Sequence, residues 1–171
     1  MKLRLQFLLT LILFSLACGS LIPSTRLTEP MLRNTSYRGI FEKPVQLVDG
    51  RYEGEPFDPQ GISRPILIYQ THTWGKLDSD NNDDAAVILV ATMGGSGSFY
   101  QLAAVLNRLG KPVNAATISL GDRVQIRSLR IEDRVITIQM IAHAPNDPLC
   151  CPSMAVTVRY RLQGETLVKV N

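Results

Sequence analysis

The stretch KLDSDNNDDAAVILV, residues 76–90, sets acidic and carboxamide side chains directly before a long apolar run. Asp78, Asp80, Asn82 and Asp84 fall at alternate positions, so in a tight loop their oxygens converge on one point. A calcium loop gathers its about six to eight oxygen ligands in this way. Two frames fit. With Lys76 in the first ligand position, Asp78 and Asp80 take the third and fifth, Asn81 takes the turn and Asp84 the ninth. Asn tolerates the left-handed backbone that the turn requires, but Lys76 brings a positive charge where an anion belongs. With Asp78 first, Asp80 and Asn82 fit the next two positions, and Ala86 and Leu89 then stand where ligands are needed. Neither frame is complete. A Lys76 ammonium placed where the ion would sit preserves the turn without metal. The stretch therefore reads as a polar turn feeding a buried strand; no cofactor is expected, and calcium is the alternative.

A second unusual stretch is NDPLCCP, residues 146–152. Adjacent residues across a trans peptide have Cα atoms ~3.8 Å apart, below the usual disulfide range of about 4.4 Å and up. A Cys150–Cys151 bond therefore closes a strained ring, and strain makes a disulfide easier to reduce. Export to an oxidising compartment favours this pairing as a clasp on a Pro-flanked loop. Free thiols or a cross-link to another chain are the alternatives. A soft-metal site from His143, Cys150 and Cys151 has suitable ligand types, but neighbouring side chains in extended backbone point apart. Redox catalysis uses C-x-x-C so that two thiols meet, and that spacing is missing.

For nucleophilic chemistry the candidate is Ser96 in GGSGS, with His72 and His143 as the two available bases. A nucleophile elbow requires G-x-S-x-G, and Ser98 stands where the last Gly belongs. A hairpin turn explains the same glycines. Trp74 beside His72 could line a small patch or cap the core. Phosphate-cradling and zinc-spaced motifs are missing from the sequence.

The chain that positions these residues opens MKLRLQFLLTLILFSLACGS, with Lys2 and Arg4 ahead of an apolar stretch and then small residues. This is the layout of a secretory signal over residues 1–17. As a helix, Leu5 to Ala17 would rise roughly 20 Å, short of the ~30 Å hydrocarbon core. Leu16-Ala17-Cys18-Gly19 resembles the lipobox of bacterial lipoproteins, although Ser15 stands where Leu is usual. That resemblance implies a diacylated Cys18, a membrane partner through the lipid anchor, and a place in the cell envelope facing the periplasm or exterior. Ordinary cleavage before Cys18 and an uncleaved anchor are the other readings.

Removing the first 17 of 171 residues leaves 154, enough for one domain with a real core. It also removes two of 18 basic residues and no acids, leaving 16 against 15 acidic. The mature chain then has no strong basic field, and nucleic acid is excluded as the expected partner. Arg127, Arg130, Arg134, Arg159 and Arg161 read as the solvated faces of strands. Residues 18–37, rich in Ser, Thr and Pro, read as the lipidated N-terminus and a tether, with the folded domain over 38–171.

Strand-length apolar or alternating segments cover Pro44–Val48, Ile66–Tyr69, Ala85–Thr92, Phe99–Leu106, Val113–Leu120, Val124–Ile131, Val135–Ala142, Ala155–Leu162 and Thr166–Val170. Ala85–Thr92 is apolar on both faces and so belongs in the middle of a sheet. The connections are short and turn-like, which suits hairpins. Val156, Val158, Tyr160 and Leu162 share one face, as do Ile136, Ile138, Met140 and Ala142; between Ile126 and Leu129 the period slips, placing a bulge near Ser128. FYQLAAVLNRLG also has helical spacing, but the Gly/Ser turn before it favours a strand. The expected fold is mainly β, an antiparallel sandwich or curved meander in a single domain.

The loop DSDNNDDAAV resembles the calcium-loop blades of the FG-GAP and VCBS type, without their repetition. Together, LDSDNNDDAAVILV, GGSGSFYQLAAVLN, LGDRVQIRSLRIED and NDPLCCP resemble a family of bacterial exported or lipoprotein domains over residues 65–170 or so. The resemblance departs at Lys76, where Asp is usual. It implies export and a single domain, and no particular reaction. The expected role is a non-catalytic binding or structural module with an envelope protein or glycan partner. The alternatives are a calcium-dependent adhesion module and an envelope hydrolase using Ser96 and a His.

Overall fold

The computed structural model describes residues 26–171. The expected signal segment and Cys18 lie outside the described residues. The described residues form one helical turn, α1 (Glu29–Leu32), and eleven strands. These are β1 (Ser36–Tyr37), β2 (Val45–Gln46), β3 (Arg51–Glu53), β4 (Pro65–Gly75), β5 (Asp84–Met93) and β6 (Phe99–Arg108). β7 (Lys111–Asp122), β8 (Gln125–Glu132), β9 (Val135–Ala142), β10 (Met154–Gln163) and β11 (Thr166–Val170) complete the set.

Strands β3 to β7 form a five-stranded antiparallel sheet in chain order, and β8 to β11 form a four-stranded one, also in chain order. The fold is thus both a meander and a two-sheet sandwich. Short turns make this possible. Leu109 and Gly110 (φ 55° and 82°) join β6 to β7, and Asp133 and Arg134 (φ 49° and 61°) join β8 to β9. Both are two-residue connections of the kind whose left-handed backbone matches strand twist. Phe99–Arg108 is a strand, and its helical spacing is coincidental: Ala103 and Val105 face one layer while Leu102, Ala104 and Leu106 face the other.

Two apolar layers cover the central sheet. On one side Ala86, Ile88, Leu102 and Ala104 meet Ile136, Ile138, Met140 and Tyr160 of the second sheet. On the other side Ala85, Val87, Leu89, Ala103 and Val105 meet Leu27, Leu32, Tyr37, Val45 and Leu47. Residues 27–37, expected as tether, are therefore part of the domain. Leu27 and Leu32 are 2% and 0% exposed, and the Tyr37 hydroxyl donates to Leu32 O at 2.9 Å. Their apolar residues are too sparse to show a period, but the doubly apolar β5 requires a cover on each face.

Bulges bend the sheets. Gln70 in β4, Ala115 and Leu120 in β7 and Arg127 in β8 are each extra residues in their ladders. The slip expected near Ser128 therefore falls on its neighbour. Asn114 secures the β7 bulge: its amide donates to Ala104 O and Ala116 O, and its Oδ1 accepts from Arg38 N–H at 2.9 Å. This ties the N-terminal segment along the β7 edge.

At the opposite edge β4 meets β8 closely. A Cβ on Gly75 would stand 2.7 Å from Ile131 Cβ, so a side chain there forces the sheets apart. Gly75→Val is expected to lower stability by about 1–3 kcal/mol, read from the midpoint of chemical denaturation. An unchanged midpoint would mean that this edge yields freely.

Candidate functional site

The acidic loop closes one end of the sandwich. Asp78 Oδ1 accepts from Asp80 N–H and Asp80 Oδ1 from Asn82 N–H, each at 3.0 Å, and Asn81 takes the left-handed turn at φ 70°. Oxygens of Asp78, Asp80 and Asp84 lie within 4.8 Å of one another. The cation beside them is a guanidinium. Arg108 donates from one nitrogen to Asp78 Oδ2 at 2.7 Å and to Asp80 Oδ2 at 2.9 Å. Lys76, expected to place its ammonium there, instead donates to Asn81 Oδ1 at 2.7 Å. The Asn82 N–H chiefly, then the Asn82 and Asp78 side chains and last Arg108, hold the Asp80 carboxyl below its ordinary value.

Asp84 differs from its neighbours. It is fully buried at the start of β5, where Oδ2 accepts from Leu77 N–H at 2.8 Å and Oδ1 from Asn107 N–H at 2.9 Å. Both oxygens are thus committed to backbone donors. Burial pushes its carboxyl above the ordinary 3.8, against the pull of those two donors. Asp84 secures the loop to the end of β6; Asp78 and Asp80 face outward from it toward Arg108.

Arg108 was not among the residues the sequence singled out. The register supplies it: Ala85 lies opposite Val105, and three more residues bring Arg108 level with Asn82.

Beside the loop is an open cleft of about 680 Å³. Leu77, Leu106 and Leu162 line it together with Arg108, Arg134 and Arg161. Asp78 and Asp133 also face it. Arg134 comes from the β8–β9 turn and Arg161 from the end of β10, directly opposite Val135. Among the described residues neither guanidinium forms an ion pair or a hydrogen bond, whereas that of Arg108 is engaged twice.

The other end of the sandwich gathers Ser96 and the cysteine loop around Arg123. This side chain donates to Asp122 Oδ2, to Ser96 O, and to Leu149 O at 3.0 Å. It therefore ties the Gly/Ser turn to the loop that carries the cysteines. Cys150 and Cys151 are disulfide-bonded to each other. Asp147 braces the same loop, accepting from Ala144 N–H at 2.8 Å and from Ser153 N–H and Oγ at 2.7 Å. His143 Nε2 is buried there without a hydrogen-bond partner.

Ser96 and His72 are not brought together. Ser96 follows Met93, which pairs with Pro65, while His72 pairs with Val87; six strand positions separate these levels, roughly 20 Å. His72 instead bonds the Tyr69 hydroxyl through Nδ1 and lies edge-on to Trp74, with ring centroids 4.5 Å apart. No hydrogen bond links the Ser96 hydroxyl to either histidine.

Two outcomes follow for the acidic end. Because Arg108 already neutralises Asp78 and Asp80, the wild-type melting temperature is expected to be the same in EDTA and in millimolar calcium. Arg108→Ala is expected to melt lower in EDTA and to regain stability with calcium. A calcium-dependent rise in the wild type would show that the ion displaces the guanidinium.

The second outcome concerns Asp84. A folded carboxyl raised above its unfolded value binds protons that the unfolded chain does not, so its contribution grows as pH falls through the raised value toward 3.8. Asp84→Asn leaves one backbone N–H without an acceptor and costs about 1–3 kcal/mol near neutral pH. The wild type's advantage over it should widen in that acidic window, as measured by urea denaturation. A gap that narrows would overturn this assignment.

A family model described as LppP/LprE lipoprotein matches residues 78–165, just over half of the chain. The matched segment carries Arg108, Arg134, Arg161 and both cysteines of the disulfide. No curated protein and no solved structure matches the chain.

Proposed function

The chain belongs to the LppP/LprE lipoprotein family, and on that premise we propose that it is a non-catalytic binding module of the bacterial cell envelope. It is held to the membrane by lipid on Cys18 and works through the cleft beside the acidic loop. The observation that carries this reading is a cleft in which Leu77, Leu106 and Leu162 stand beside two arginines that form no ion pair among the described residues. Arg127, Arg130 and Arg159 also lack an ion pair among the described residues, but they do not line the cleft; Arg134 and Arg161 do.

The anchor has a geometric consequence. Eight residues separate Cys18 from the buried Leu27. At full extension they span about 30 Å, so the domain works close to the bilayer surface. Two acyl chains would make that attachment stable.

The hydrolase alternative needs a base at Ser96; His72 lies far along β4, and His143, at the same end as Ser96, forms no hydrogen bond with its hydroxyl. The calcium-dependent alternative draws support from the convergence of Asp78, Asp80 and Asp84, and requires Arg108 to leave.

Two measurements test the reading. Cys18→Ala is expected to move the protein from the membrane fraction to the soluble one and to abolish incorporation of labelled palmitate. Retention with the membrane would remove the lipid anchor from the account. Hydrogen exchange of the mature protein with fractionated envelope extract should show slowed exchange at residues 77–79, 133–134 and 161–164. Protection confined to residues 94–98 and 143–153 would place the binding surface at the other end.

A further inference from the structure

The charge inventory of the cleft identifies the chemical class of its ligand. Three arginines and two aspartates line it. Asp78 is consumed by Arg108, which also holds Asp80. The nearby Glu165, in the β10–β11 turn, goes to Arg38 at 3.1 Å. Asp133 remains, and neither Arg134 nor Arg161 is paired with it. The cleft therefore presents two unspent guanidinium groups against a single free carboxylate.

Arg134 sits at φ 61° in a two-residue turn, and its side chain lines the cleft together with that of Arg161. Guanidinium forks match the oxygens of phosphate and carboxylate in two-pronged fashion. Leu77, Leu106 and Leu162 form the leucine wall beside them; Leu77 and Leu106 are buried, so half-buried Leu162 presents most of its apolar surface.

We propose that the cleft binds a phosphate- or carboxylate-bearing amphiphile, its anionic head held between Arg134 and Arg161 and its apolar part against the leucine wall. This rests on the cleft being the binding site and adds the ligand's chemistry. Such a head group has two sources near a membrane: a soluble anion or the head of an anionic lipid.

The test uses the lipidated protein in phosphatidylcholine nanodiscs, titrated calorimetrically with hexyl phosphate, inorganic phosphate and hexanol. Hexyl phosphate should bind at least about tenfold more tightly than either of the others. The double variant Arg134→Ala/Arg161→Ala should lose about tenfold or more of that affinity. Arg159→Ala should bind as the wild type does, since Arg159 lies outside the cleft and donates to Asn171 O at 2.5 Å. Circular dichroism melts of each variant separate lost binding from lost folding.

Equal binding of hexanol and hexyl phosphate, or an equal loss in Arg159→Ala, would overturn the proposal. If hexyl phosphate fails while envelope extract still protects residues 133–134 and 161–164 from exchange, the cleft stands as the site and the anionic ligand falls. Nanodiscs containing phosphatidic acid identify the source. Weakened hexyl phosphate binding there supports a lipid head as the occupant, and unchanged binding supports a soluble anion.

Discussion

A strand that is apolar on both faces cannot form an outer layer, and β5 imposes that condition on everything around it. Ala85, Val87 and Leu89 point one way and Ala86 and Ile88 the other, all fully buried. At about 25 cal/mol per Å² of apolar surface removed from water, leaving either face open would forgo a large share of the stabilisation. The four-stranded sheet covers one face. The segment from Leu27 to Leu47 covers the other, although it holds only one helical turn and two strands of two residues each. The domain is in effect three layers built on two doubly buried strands, β5 and β6.

That arrangement leaves chemistry to the two ends, where the hairpin connections emerge. Each end is organised by one arginine acting as an internal cation: Arg108 draws in the acidic loop, and Arg123 draws the Gly/Ser turn to the disulfide loop. Exposed pairs of this kind contribute little to global stability. Their effect is local, because each holds long loops to one conformation. The ends differ in what remains after pairing. At the acidic end two arginines stay unspent over an apolar wall. At the other, Arg123 and Asp147 have their polar partners within the loops they brace.

The family match and the geometry bear on different links of the account. The match makes this chain an envelope lipoprotein and stops there. The cleft reading comes from the register of β5 against β6 and of β9 against β10, which brings Arg108, Arg134 and Arg161 to one end of the sandwich. Arg134 and Arg161, read from the sequence as parts of solvated strand faces, do lie at the surface, but at a concave place beside two buried leucines and one half-buried one.

The strands were legible because alternation is local. Val135–Ala142 and Thr166–Val170 have the bounds their patterns indicate, and Ala85–Thr92 announces its central place by being apolar throughout. Four features were not legible. The docking of residues 27–37 depends on a partner face that only the assembled sheet provides. β4 runs to Gly75, well beyond the apolar run ending at Tyr69, because β5 and β8 supply neighbours that its polar second half does not advertise. The partner of the acidic loop is an arginine some thirty residues away, set by hairpin register, and the cleft combines two further turns. Local pattern determines which residues form strands and which face is apolar; contacts distant along the chain depend on register and closure, so only the folded molecule decided which charges are spent and which remain free.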